Sequence, residues 1–132
     1  MKKKHRVLIV DDDTDDREII KEAFEHVISE QDYIFLESGE KLMDHLQHTA
    51  DHISFILLDL NMPGKDGKET LREIKTNKRY QHIPTIVFTT SSSQRDSKMA
   101  YELGANCFIT KPDTFDAMIQ LAKCIVGLWM AW

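Results

Sequence analysis

The chain has 132 residues, 42% hydrophobic and 30% charged, with a formal net charge of −5. This length suits one domain with a single sizeable core, and the balance is that of a folded protein, not a disordered one. The acidic excess argues against a nucleic-acid binder, which wants a basic face, and no stretch nears the roughly 18 apolar residues of a membrane span.

The start is basic, with Lys2, Lys3, Lys4 and Arg6, but only VLIV follows before aspartates arrive. That run is too short for the apolar region of a signal peptide, so a cytoplasmic protein is expected. RVLIV reads as a buried strand. Five aspartates follow within six positions: Asp11, Asp12, Asp13, Asp15 and Asp16. Asp15 or Asp16 is placed to cap a helix whose apolar residues, Ile19, Ile20, Ala23, Phe24 and Val27, recur at helical spacing. YIFLE is a second strand, and Ser38 and Gly39 open a helix with Leu42, Met43 and Leu46 as its inner stripe. FILLDL, apolar throughout, is a strand covered on both faces. NMPGKDG is a loop and KETLREIKTN a helix; PTIVFTTS is a fourth strand, and SQRDSKMAYELG a helix closed by Gly104. NCFIT is a fifth strand, and TFDAMIQLAKCIVGLW a last helix.

Strand and helix thus alternate five times, the pattern of an α/β protein with a parallel sheet covered on both sides. Right-handed crossovers favour a doubly wound, flavodoxin-like sheet of order 2-1-3-4-5. Sites in such sheets lie beyond the carboxyl ends of the strands. That rule selects Asp11, Asp12, Asp59, Thr89, Thr90 and Lys111, which together outline a phosphoryl site.

Several readings of the aspartates compete. Asp13, Asp15 and Asp16 fit a helix start, where the dipole favours carboxylates. A calcium loop would use Asp11, Asp13, Asp15 and Glu22, but Asp16 stands where the sharp turn demands glycine. A haloacid-dehalogenase-type phosphatase would make Asp11 the nucleophile and Asp13 the acid–base. It would leave LLDLNMPGKDG unexplained and lacks a clear acidic motif after the lysine. The remaining reading has Asp11, Asp12 and Asp59 hold one hard divalent ion through oxygen ligands and waters. One carboxylate then attacks phosphorus to form an acyl phosphate, with Lys111 and Thr89 neutralising and positioning the oxygens.

The chain resembles a response-regulator receiver domain of the chemotaxis type, over roughly Arg6 to Val126. The likeness rests on IVDDD, ILLDLNMPGKDG, IPTIVFTTS, YELGAN and FITKP in order. LNMPGKDG and FTTSS further resemble the stand-alone receivers that partner phytochrome-type histidine kinases. The resemblance implies a single receiver domain over 1–132 with no output domain. Asp59 would be the phosphoacceptor, a signalling residue that assists its own phosphorylation and dephosphorylation and not an enzyme's catalyst. Mg2+ (or Mn2+) would be bound by Asp12, Asp59 and the backbone carbonyl of Asn61, with Asp11 acting through a water. Thr89 would hydrogen-bond the phosphoryl group and Lys111 would pair with it, aimed inward by a cis Lys111–Pro112 bond. Phe108 would be the switch aromatic, turning inward as Thr89 moves. The donor would be a sensor histidine kinase or a histidine phosphotransfer protein. The readout face would be the fourth helix, fifth strand and fifth helix, for a downstream protein the sequence does not name.

Departures from the family pattern are Thr90, where a smaller residue is common, and Phe108, which lacks a tyrosine's hydroxyl. Ser91 and Asn61 occupy positions that tune phosphate lifetime. His45, His48 and His52 share a helical face and read as solvated, not as a metal site. Cys107 and Cys124 lie in apolar surroundings and are expected to be reduced core thiols. The apolar ending GLWMAW reads either as a last turn packed on the core or as an exposed patch for a homodimer or partner.

Overall fold

The computed structural model describes residues 6–28, 32–49, 52–61 and 67–129. Strands and helices alternate as β1 (Arg6–Val10), α1 (Thr14–Glu25), β2 (Asp32–Leu36), α2 (Gly39–His48) and β3 (Ile53–Leu58). They continue as α3 (Gly67–Thr76), β4 (Thr85–Thr89), α4 (Gln94–Glu102), β5 (Cys107–Thr110) and α5 (Phe115–Trp129). The strands form one parallel sheet in the order β2-β1-β3-β4-β5, as the sequence led us to expect.

Alternation along the central strands divides the core in two. Leu8, Val10, Ile56, Leu58 and Val87 point to the side that holds α2, α3 and α4. Val7, Ile9, Phe55, Leu57, Ile86 and Phe88 point to α1 and α5. A strand with helices on both faces has no polar side, which is why β3 is buried at every position. The residues just past the sheet's carboxyl edge are therefore held by strands packed on both faces.

Local signals set the helix starts. Ser38 caps α2, its hydroxyl accepting from the Lys41 N–H at 3.2 Å, and Ser93 caps α4 through the Asp96 N–H. The cap of α1 is Asp13, not Asp15 or Asp16: its carboxylate accepts from both of their N–H groups. Gly104 closes α4 with φ of 103°, in the left-handed region that glycine enters without a Cβ clash.

Three further expectations need correction. Of the apolar stripe on α1, Ile20, Ala23 and Phe24 are buried, but Ile19 is turned outward and 43% exposed. Three buried residues already fill the contact with the sheet, so Ile19 falls at the stripe's edge. Cys124 is exposed on α5 and not a core thiol, while Cys107 is half-buried. The helix turns Ile125 and Val126 to the core and Cys124 away. Finally, the Lys111–Pro112 bond is trans, since no described peptide bond is cis. A trans bond is the lower-energy form before proline, and it already brings the lysine into the pocket.

At the end of α5, Trp129 packs against the core, as one of the two expected uses of the apolar ending requires, while Leu128 is 74% exposed. Met130 to Trp132, and Met62 to Asp66 of the NMPGKDG loop, lie outside the described residues. No helix of the described residues is long and apolar enough to cross a membrane.

Candidate functional site

Sheet hydrogen bonding runs one residue beyond the strands and places the chemistry. The Asp11 N–H donates to Leu36 O at 3.1 Å, the Asp59 N–H to Val10 O at 3.0 Å, and the Lys111 N–H to Thr89 O at 2.7 Å. Three strands thereby deliver two carboxylates and an ammonium to one edge. Asp11 is 2% exposed, Asp59 8% and Thr89 fully buried, whereas Asp12 is exposed.

Ligand oxygens of Asp11, Asp12 and Asp59 lie within 4.8 Å of one another. Three carboxylates at this separation repel strongly, and a hard divalent cation that takes oxygen ligands fits such a donor set. The sheet brings together every strand-end residue singled out in the sequence except Thr90, which is exposed at the groove beside Lys111. Among the described residues, the His45, His48 and His52 trio forms no comparable group. His48 is exposed, with Nδ1 2.7 Å from Asp44 O, and His45 is half-buried.

Lys111 is the internal counter-ion. Its Nζ donates to Asp11 Oδ2 at 2.8 Å and to Asp16 Oδ2 at 2.9 Å, and stands 3.6 Å from Asp59 Oδ2. Burial alone would push this ammonium's pKa down. The hydrogen bonds to Asp11 and Asp16, with the charges of Asp11 and Asp59, outweigh burial and hold it above the usual lysine range. Burial pushes the Asp11 carboxyl up, and the nearby Asp59 charge adds to that. Hydrogen bonds from Lys111 and the Asp13 N–H only partly compensate.

The other parts are held locally. Arg17 donates from Nη1 to Asp11 O at 2.6 Å and from Nη2 to Thr14 Oγ1 at 3.1 Å, clamping the loop that carries Asp12. The Asn61 N–H donates to Asp59 Oδ1 at 3.2 Å, and Asn61 Nδ2 makes a long 3.5 Å contact with Thr89 Oγ1. Phe108 is half-buried, packed against the α2–α4 side of the core, and its N–H donates to the Tyr101 hydroxyl at 3.0 Å.

Two residues escaped the reading of the sequence. Asp16 was assigned to the helix start alone, yet its side chain reaches Lys111. Gly67 donates its N–H to Leu60 O at 3.0 Å, and a Cβ there would lie 2.3 Å from Asp59 O. Glycine at the first position of a helix is a weak helix former, and that mismatch signals a close backbone approach. Asp13 in turn is exposed and spends its carboxylate on the α1 cap, which leaves the phosphatase reading without its acid–base.

The family model described as the response regulator receiver domain matches residues 7–123. The response regulator Rcp1 of Synechocystis sp. is 33% identical over 129 residues, covering 94% of this chain and 88% of that protein. The crystal structure of the Mn(2+)-bound form of Rcp1 superposes with a TM-score of 0.83, at 33% identity, over 95% of this chain and 94% of that one. That of the phosphorylated cyanobacterial phytochrome response regulator RcpA superposes with a TM-score of 0.88, at 32% identity, over 96% of this chain and 94% of that one. None of these similarities supports the phosphatase alternative.

Proposed function

The chain belongs to the response-regulator receiver-domain family, whose members are phosphorylated on aspartate in two-component signalling, and from that premise we propose that Asp59 is its phosphoacceptor. The observation that carries this is the pocket itself: three carboxylates with ligand oxygens within 4.8 Å, and an ammonium 3.6 Å from Asp59. Asp12, Asp59 and the Asn61 carbonyl would hold Mg2+ or Mn2+, with Asp11 acting through a water. When bound, the ion supplies charge neutralisation to the equatorial phosphoryl oxygens.

The chain's own residues do the rest. Asp59 Oδ attacks phosphorus of a phosphohistidine on a sensor kinase or phosphotransfer protein. An O–P bond forms as the P–N bond breaks, and the imidazole leaves with the electron pair. Lys111 pairs with the transferred group and the Thr89 hydroxyl donates to it. Thr89 lies just before the loop to α4 and bonds to β5 through its backbone, so its movement biases the α4, β5 and α5 face, with Phe108 repacking. The donor approaches over a groove of about 270 Å³ beside Lys111, which includes Ile19, Pro112, Phe115 and Met118. Ile19 and Phe115 are exposed apolar side chains there, suited to receive a helix of the donor.

Intact-mass measurement after incubation with acetyl phosphate tests the reading. A single phosphoryl adduct is expected with Mg2+, absent with EDTA and absent in Asp59→Asn. Rapid phosphate-ester turnover that survives Asp59→Asn but is lost in Asp11→Asn would overturn it.

A further inference from the structure

Lys111 faces three carboxylates, and the two it touches are not the phosphoacceptor. Asp11 and Asp16 lie 2.8 and 2.9 Å from its Nζ, while Asp59 stands at 3.6 Å. Asp11 belongs to the metal set. Asp16 has no such duty: its carboxylate is not needed for the α1 cap, which Asp13 provides.

We propose that Asp16 is a positioning residue that holds the Lys111 ammonium on the Asp11 side of the pocket, so that the lysine must leave Asp16 to pair with a phosphoryl group on Asp59. This rests on the phosphoacceptor reading above and extends it to a residue that touches neither metal nor phosphoryl. The physical reason is competition for one cation. Asp11, Asp16 and Asp59 share a single ammonium, and phosphorylation adds further negative charge beside it. Asp16 stabilises the resting arrangement and opposes the loaded one. Its side chain is 36% exposed, so it can be solvated once the lysine has gone, which makes the exchange reversible.

Asp15 is an internal control. It lies one residue earlier in the same helical turn, carries the same charge and is exposed, but the ion pairs of Lys111 run to Asp11, Asp16 and Asp59. A general charge effect would be common to both residues; positioning belongs to Asp16 alone.

The test is beryllofluoride affinity in saturating Mg2+, followed by 19F NMR, for wild type, Asp16→Asn, Asp16→Glu and Asp15→Asn. Asp16→Asn should bind roughly threefold to fivefold tighter, the size of a part-exposed ion pair. Asp15→Asn should change little, and Asp16→Glu should return toward wild type. The NMR signal of the Lys111 methylene next to the ammonium should shift, in unloaded Asp16→Asn, toward its beryllofluoride-bound position. Unchanged or weaker binding by Asp16→Asn, or equal tightening by Asp15→Asn, overturns the proposal. A wild type that takes up no beryllofluoride at all overturns the phosphoacceptor reading instead, and the Asp16 role with it.

Discussion

Asp59→Asn should stabilise the protein without metal and weaken its response to metal. The magnitude follows from the pocket. At an effective dielectric constant of about 20, two carboxylates at 4.8 Å, the widest separation of the three ligand oxygens, repel by about 3.5 kcal/mol, and closer ones by more. Asp59 has two such neighbours, Asp11 and Asp12. Lys111 at 3.6 Å returns about 4.6 kcal/mol, and the Asn61 N–H hydrogen bond about 1 kcal/mol more. The charge on Asp59 therefore costs at least about 1 kcal/mol net, and asparagine relieves that while keeping the shape. In EDTA the variant should melt about 3 to 5 °C above wild type. Mg2+ at about 100 times its Kd should add about 2.7 kcal/mol to the wild type and distinctly less to the variant, which has lost a ligand charge. Thermal or urea melts of both proteins in EDTA and in saturating MgCl2 decide the matter. A variant less stable than wild type in EDTA, or equal Mg2+ shifts in the two proteins, would refute the reasoning.

Other perturbations separate the supporting parts. Gly67→Ala puts a Cβ 2.3 Å from Asp59 O and 2.5 Å from Leu60 Cα, both backbone atoms; it should cost about 1 to 3 kcal/mol in urea melts and slow acetyl-phosphate labelling. Burial raises the folded-state pKa of Asp11, so the folded protein keeps a proton that the unfolded chain has lost. Stability in EDTA should thus fall as pH rises from 3.8 through that raised value, and urea midpoints of Asp11→Asn should lack this limb. Asp96→Ala removes the acceptor of the Ser91 hydroxyl, a 2.7 Å bond tying the β4–α4 loop to the first turn of α4. It should cost about 1 kcal/mol and speed hydrogen exchange at Ser91 and Ser93 about fivefold.

Much of this was legible in the chain because the signals are redundant. VLIV and FILL are apolar at every position, as strands buried on both faces must be, and each is followed at once by aspartate. The rule that sites lie at the carboxyl edge then selects Asp11, Asp12, Asp59, Thr89 and Lys111 with no knowledge of distances, and with them Thr90, which the structure leaves exposed at the adjoining groove. Asp16 was illegible for the opposite reason: a carboxylate in the first turn of a helix is already explained by the dipole. Only the direction in which α1 leaves the sheet decides that Asp16, and not Asp15, overhangs Lys111. Gly67 was hidden because its contact is with backbone, and backbone approach has no signature beyond a glycine in an unexpected place. The exposed Ile19 and Cys124 sit at the margins of apolar stripes, where helical spacing fixes the face but not its width.

If Asp59 is the phosphoacceptor, as proposed, the same geometry offers a route from it to α4 and β5. Ser91 is the node: its N–H donates to Thr89 Oγ1 at 3.4 Å, its hydroxyl to Asp96, and its carbonyl accepts from Thr110 Oγ1 at 2.8 Å. Thr89 cannot move toward a phosphoryl group without pulling on α4 through Asp96 and on β5 through Thr110. A second tie joins the same two elements, from the Phe108 N–H to the Tyr101 hydroxyl. Phe108 has no hydroxyl of its own, so the hydrogen bond at this position is made by its backbone, and the partner is on α4. The Tyr101 hydroxyl thus fastens β5 to α4 through the backbone of Phe108.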